Sequence, residues 1–323
     1  MKKGIISLGE ALIDFIPMDQ ENIVYQKCPG GAPANVAVGL AKLGAESMFL
    51  GKVGEDVLGR FLVDTLASYG VDPSAISLTK EVRTGAVFVT LAENGERSFD
   101  FYINPSADQF LQESEIRFDF FADKKILHFG SISLINEPAK SATKRAVNTA
   151  KDMGMLISYD PNLRLNLWKD EETAKRTIIS MLPKVDVLKV SEEELEFLTG
   201  ERDMATGISN LKSFNIPLVI VTLGENGSIL AFGNETITVP AMKVQAVDTT
   251  GAGDAYVSGI LYCLNDFTED ISKLSMEQIQ YMAKFASIAG GLAASTKGAM
   301  SGLPDLKIVT EYLSRTDNKE LQG

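Results

Sequence analysis

Thiols and imidazoles are scarce: Cys28, Cys263 and His128 are all that 323 residues contain. Two cysteines cannot build a disulfide framework in a chain of this size, which suits a reducing compartment, and no Cys and His have zinc-ligand spacing. His128 sits in the apolar run "ILHFGSIS" and reads as a hydrogen-bonded core residue, not a base. Cys28 has only Lys27 nearby to activate it, so a reactive thiol is not expected. Positive charge is short as well: 31 Lys and Arg stand against 43 Asp and Glu, a net charge of −12. That leaves no electrostatic footprint for nucleic acid and disfavours an anionic membrane surface. No apolar stretch approaches the roughly 20 residues that span a bilayer. The opening "MKKGIISLGEALIDF" is broken by Glu10 and Asp14 and lacks a signal-peptide h-region. A cytoplasmic protein is expected. Two nucleotide signatures, GxxxxGK[ST] and a strand-linked GxGxxG, are missing, which weakens the P-loop and Rossmann dehydrogenase readings.

What the chain does contain is alternation. Short apolar runs such as "GIISLG", "KILHFGSIS" and "PLVIVTLG" alternate with amphipathic stretches such as "DVLGRFLVDTLASYG". This predicts βαβ units, an α/β fold and one mostly parallel sheet through most of the protein. Residues 84–104, "TGAVFVTLAENGERSFDFYIN", break the rhythm with two period-two runs around Asn94-Gly95, a pair suited to a type I′ turn. With the stretch around residues 12–27 this hairpin would form a small antiparallel sheet placed as a lid; an ordinary edge hairpin is the alternative.

The segment "VDTTGAGDAYVSGILYCL", residues 247–264, places three small residues before a carboxylate and an apolar run. A helix N-terminus presents unpaired N–H groups and partial positive charge, and side chains would only obstruct an anion there. Gly251, Ala252 and Gly253 therefore read as a phosphate cradle, and Asp254 as a base able to activate an attacking hydroxyl. The plainer alternative is a capping acid behind tightly packed glycines.

A second informative stretch, "PGGAPANVAVGLAKLGA" (29–45), pairs glycines with Asn35 at a helix start. With "DTTGAGDAY" it resembles the ribokinase (pfkB) family of carbohydrate kinases, and the likeness runs from "LGEALIDF" to "TKGAMSGLP". "GEALIDF", "GERSFDFYINPSAD", "ISYDPNLRLNLW" and "KVSEEELEFLTG" look like its fructokinase branch. Aminoimidazole riboside kinases and 2-keto-3-deoxygluconate kinases are similar in some of these places, which leaves the acceptor open.

The resemblance implies a ribokinase-like doubly wound α/β domain spanning 1–323, with a discontinuous β lid from about 12–30 and 84–106, and an ATP- and Mg²⁺-dependent kinase acting on a primary hydroxyl of a furanose sugar. It implies Asp254 as base with Gly251, Ala252 and Gly253 as anion hole, and Asp14, Gly30, Gly31, Asn35 and Phe101 around the sugar. Arg164 of "DPNLR" would contact phosphate or substrate, unless it merely pairs with Asp160 in a surface loop. Asn162, Thr222, Gly224 and Gly227 would contact ATP, the last three from "TLGENGS", which also reads as a plain strand turn. The family's NxxE element is Ser191 to Glu194 here, with Glu194 kept to act on Mg²⁺ through water. Asp248 and Thr250 match a K⁺ site, but Gly302 stands where ribokinases place a serine, and Ile103 where fructokinases commonly carry arginine. Relatives that dimerise through their lids imply a homodimer. A catalytically silent sugar- or nucleotide-binding regulator is the rival of another class.

Overall fold

The computed structural model describes residues 2–92 and 97–320. β1 (Ile5–Leu8) leads into β2 (Leu12–Pro17) and β3 (Tyr25–Gly30), followed by α1 (Ala32–Lys42), β4 (Ser47–Gly54), α2 (Val57–Ser68), β5 (Ile76–Thr79), β6 (Gly85–Leu91) and β7 (Arg97–Phe101). Next come β8 (Ile126–Phe129), α3 (Ala139–Asp152), β9 (Leu156–Tyr159), α4 (Glu171–Ile179), β10 (Val187–Ser191), α5 (Glu192–Thr199), α6 (Met204–Leu211), β11 (Leu218–Thr222), β12 (Ser228–Phe232) and β13 (Glu235–Val239). Three helices close the described chain: α7 (Ala252–Asp266), α8 (Met276–Ala294) and α9 (Leu306–Glu320).

Nine strands form the main sheet in the order β13-β12-β11-β10-β9-β8-β1-β4-β5. From β5 to β11 neighbours are parallel, and β12 alone is reversed, pairing antiparallel with both β11 and β13. A parallel sheet is covered on both faces, which is why β1 (IISL) and β8 (ILHF) are buried at every position. Successive residues serve opposite cores. Ile6, Leu127 and Leu188 pack on the face that carries Ala142, Ala146 and Val147 of α3. Ile5, Ile126 and Val187 pack on the face covered by Val36, Leu40, Val257 and Ile260 of α1 and α7. His128, 2% exposed, lies within β8 with Nδ1 3.0 Å from the Ser158 hydroxyl, and burial drives its pKa down to about 4, so it stays neutral.

The chain leaves β1 toward β4 on one side and later adds β8 on the other. Ligands in open α/β sheets bind where the strand order reverses, beyond the carboxyl ends of the strands. Over that edge stands the second sheet, in the order β3-β2-β6-β7. The two stretches expected to build a small sheet do so, but it is mixed: β2 pairs antiparallel with β3, β6 antiparallel with β7, and β2 parallel with β6, Leu12 to Gly85 through Phe15 to Phe88. The connection between β2 and β6 is not a hairpin; it passes through α1, β4, α2 and β5, and so long a crossover permits parallel entry. The turn at Asn94-Gly95 lies outside the described residues. Phe15 and Phe88 stack with centroids 4.8 Å apart, and Tyr25 and Tyr102 meet Phe88 edge-on. Ile23, Val24 and Tyr102 of the same sheet region are strongly exposed.

Candidate active site

Between the two sheets lies a cleft of about 1350 Å³, open mouth included. From the small sheet Leu12, Asp14, Val87, Phe99 and Phe101 face it. The opposite wall carries Asp160, Asn162, Arg164 and Lys189, followed by Thr250, Gly251, Gly253 and Asp254.

Local geometry explains how the backbone is brought close. Gly251 is the N-cap of α7 with φ 80°, a left-handed conformation that a side chain resists. Gly31 caps α1 with φ 105°, and a Cβ there would sit 2.4 Å from the Glu10 carbonyl. The Ala252 N–H donates to Thr249 O at 3.2 Å, which closes the turn into α7.

Asp254 is 8% exposed in the first turn of α7. Asn35 of α1 donates from Nδ2 to its Oδ2 at 2.8 Å, which ties together the two glycine-rich segments. Burial raises the Asp254 carboxyl to a pKa of about 6; the Asn35 bond opposes this, Asp160 adds to it, and Lys189 and Arg164 pull back. A carboxylate so tuned is ionised at neutral pH yet more basic than a free one, as proton acceptance demands. Asp14, opposite Cys28 across β2 and β3, is raised by burial to about 6. Gly30 lines its side of that pair, for a Cβ there would press to 2.3 Å from Asp14 Oδ2.

The loop after β9 is built by Asp160. Its Oδ1 accepts the Asn162 N–H at 3.1 Å, an Asx turn that holds Asn162 at φ 44°, and its Oδ2 pairs with Lys189 at 3.0 Å. The alternative of an Arg164–Asp160 salt bridge is thereby corrected: Lys189 holds that carboxylate, and Arg164 donates to the Leu163 carbonyl while still lining the cleft. Burial works against the Lys189 ammonium, but Asp160 and then Glu194 outweigh it and hold its pKa above that of an ordinary lysine. A Cβ on Gly253 would lie 3.6 Å from Lys189 Nζ, so a permanent cation stands beside the α7 N-terminus.

Lys189 and Glu10 are charged cleft residues to which the sequence alone assigns no role. A lysine inside the apolar strand "DVLKVS" was the available signal, since a central parallel strand buries both faces. Glu10, 4% exposed and immediately after β1, offered no comparable anomaly.

Not every expected residue faces the cleft. Glu194 is buried, its Oε1 accepting the Leu163 N–H at 2.7 Å and its Oε2 the Ser191 N–H at 2.8 Å. It thus closes the capping box of α5 and fastens the Asn162–Arg164 loop. Thr222, Gly224 and Gly227 form the β11–β12 turn, with Thr222 Oγ1 donating to Val190 O at 3.4 Å, outside the residues that line the cleft. Asp248 accepts the N–H groups of Thr250 and Gly298, both at 3.1 Å, and so joins the loop before α7 to the one after α8. Gly302 leaves no room for a side chain: a Cβ there would come within 2.6 Å of Gly298 O. Among the described residues no three His, Cys, Asp or Glu are grouped as a metal site, and no helix is long and apolar enough to cross a membrane.

The model of the pfkB family of carbohydrate kinases matches residues 2–306. A probable fructokinase-2 of Arabidopsis thaliana is 43% identical over 308 residues, covering 93% of this chain and 92% of its own. A double-mutant fructokinase of Vibrio cholerae O395, solved with fructose, ADP and potassium ion, superposes with a TM-score of 0.88 at 41% identity, covering 97% of this chain and 99% of that one. The fructokinase of Xylella fastidiosa with bound ATP gives a TM-score of 0.92 at 33% identity, covering 98% of this chain and 100% of that one. With the Asn35–Asp254 pair at the centre of the cleft and these likenesses along nearly its whole length, the chain belongs to the pfkB family of carbohydrate kinases.

Proposed function

We propose that this protein is a fructokinase that moves the γ-phosphoryl group of ATP to a primary hydroxyl of fructofuranose. The observation that carries the reading is Asp254, buried at the α7 N-terminus and held by Asn35 in the cleft under the small sheet. Asp254 accepts the hydroxyl proton, the alcohol oxygen bonds to the γ-phosphorus, and the bond to the β,γ-bridging oxygen breaks to release ADP. Of the Gly251, Ala252 and Gly253 cradle, the Gly251 and Gly253 amides receive the charge on the transferring group, the Ala252 N–H being held by Thr249 O, with Lys189 and Arg164 as neighbouring cations. Asp14, Gly30 and Gly31 hold sugar hydroxyls, and Phe101 covers the ring and keeps out water that would hydrolyse ATP. Asn162 and the Thr222, Gly224 and Gly227 turn receive the nucleotide.

Mg²⁺ suits this site as an ion carried on the ATP phosphates. Both Glu194 oxygens already accept main-chain N–H groups, which favours contact through water, the habit of a metal that keeps its hydration shell. The ion, when bound, would neutralise charge on the ATP phosphates. Asp248 and Thr250 mark the loop where K⁺ would bind. The compartment is read as cytoplasmic from two unpaired thiols, and a thiol titration of fresh protein in denaturant, which opens the partly buried Cys263, returning fewer than two would count against it.

A coupled ADP-release assay across fructose, ribose, aminoimidazole riboside and 2-keto-3-deoxygluconate tests the acceptor. Fructose should give the highest kcat/KM by about tenfold or more. A better rate with another acceptor replaces the substrate, and calorimetric binding without ADP formation replaces the enzyme by a silent binder. Exchanging KCl for NaCl in the same assay should lower the rate; an unchanged rate removes K⁺.

Two carboxyls raised to about 6 set the pH profile. Asp254 must be ionised to accept a proton, so activity is lost as pH falls through about 6. The slope of log kcat/KM should reach about one per pH unit, and steeper if Asp14 must also be ionised. A flat profile down to pH 5 would contradict the assigned base.

The exposed aromatic and aliphatic side chains of the small sheet are a surface for a second copy of this chain. Sedimentation at micromolar concentration should show a dimer, and a single-chain mass would refute the contact.

A further inference from the structure

Beside the main cleft is a second, more enclosed chamber of about 570 Å³, mouth included, and Glu10 belongs to the walls of both. Leu12, Val87, Phe101 and Ile132 are shared as well, so the two spaces adjoin. The far wall of the chamber is a hydrogen-bonded polar network. Asn136 Nδ2 donates to Gln109 Oε1 at 2.9 Å, Gln109 Nε2 donates to Asn104 Oδ1 at 3.2 Å, and Ser106 Oγ donates to Asp108 Oδ1 at 2.5 Å. Glu10 has one oxygen fixed: Oε1 accepts the Ala32 N–H at 3.2 Å, at the start of α1. Its Oε2 is buried and has no hydrogen-bond partner. Native proteins rarely leave such an atom unmatched, and one that borders a cavity opening beside the main cleft calls for a partner that the chain itself does not supply.

We infer that this chamber is an acceptor subsite, in which Glu10 receives a neutral, hydroxyl-bearing arm of the sugar and Asp108 turns away a carboxylate at the same position. The inference rests on the fructokinase reading. Fructofuranose carries one hydroxymethyl group on each side of its ring oxygen; with one at Asp254, the other extends away from the phosphoryl donor. A hydroxyl both donates and accepts, so it satisfies Glu10 whether or not that group holds its proton. A carboxylate arm only accepts, and it meets Asp108, which already accepts from Ser106, in a partly desolvated space. Burial foremost, with Asp108 and Asp254 adding to it, raises Glu10 to a pKa of about 8, which favours the protonated, donating form at neutral pH.

Two probes vary the arm. D-Arabinofuranose has the fructose ring without the second hydroxymethyl group, and 2-keto-3-deoxygluconate carries a carboxylate in its place and also lacks the ring 3-hydroxyl, so for it the change in preference between variants is what reports on the arm. Calorimetric Kd values and kcat/KM are measured for the full chain, Glu10→Ala, Glu10→Gln and Asp108→Asn. Glu10→Ala should weaken fructose about tenfold or more and arabinose less than about threefold, and Glu10→Gln should recover most of that loss, because it can still donate and accept. Asp108→Asn should narrow the preference for fructose over 2-keto-3-deoxygluconate by about tenfold, and Glu10→Gln, which donates as the protonated acid does, should leave it within about threefold. Equal losses for fructose and arabinose in Glu10→Ala, or an unmoved preference in Asp108→Asn, overturn the subsite and leave the fructokinase reading standing. Failure of the unaltered chain to phosphorylate fructose removes both.

Discussion

Asp254→Asn should lower kcat with fructose by about 10²- to 10⁴-fold, the range spanned by a general base, and leave the KM values for sugar and ATP within about threefold. The substitution keeps shape and keeps the Asn35 contact, since the new amide can turn its oxygen toward Asn35 Nδ2, 2.8 Å from the present carboxylate oxygen. What it removes is the proton acceptor. Stability should move the other way. The folded-state pKa of about 6 lies above that of an unfolded aspartate, so the native protein binds the extra proton between about pH 4 and 6, and above 6 the buried charge is a cost. An amide carries no such cost, so the variant should unfold at a higher denaturant concentration at pH 8. Turnover within tenfold of the unaltered chain would remove Asp254 from the chemistry, whatever the stability result.

Lys189→Met should be the most damaging change to stability in the site. Lys189 and Asp160 are paired at 3.0 Å with side chains 13% and 6% exposed, and breaking a buried pair from one side costs about 3–5 kcal/mol. Much of that cost is the stranded Asp160 charge, so the double variant Lys189→Met, Asp160→Asn should regain a large part of it in urea unfolding. ATP use should not return with it. The ammonium beside Gly253 is proposed to meet the phosphate chain, and its loss should raise the KM for ATP or lower kcat by at least about tenfold in both variants. A double variant restored in stability and in ATP kinetics would make Lys189 a purely structural ion.

How much of this was legible depends on how local each signal is. The α7 entrance could be read because glycine, alanine, glycine and aspartate in succession describe a helix N-terminus without reference to anything distant. The parallel sheet was equally plain, since its central strands are short runs dominated by apolar residues. The pairing of β2 with β6 was not, because strand direction there is decided by how a long intervening segment folds back, and period-two patterning is identical for either direction. Asp160 shows the same limit at the level of one side chain. Arg164 is four residues away in sequence, Lys189 is twenty-nine, and the nearer cation lost because β9 and β10 lie side by side. Glu194 was selected by motif as a group for metal and nucleotide; its two main-chain bonds, one to Leu163 in a separate loop, come only from three dimensions.

The contact of Asn35 with Asp254 joins positions 219 apart in the chain, and Ser258 Oγ reinforces it by donating to Val36 O and Asp254 O. Loop closure on that scale is entropically late, so the first and last helical layers should dock after the strands between them have collapsed. During renaturation from urea, catalytic competence would consequently lag the return of far-ultraviolet ellipticity, and the enzyme's own turnover would act as a clock for the final docking of its ends.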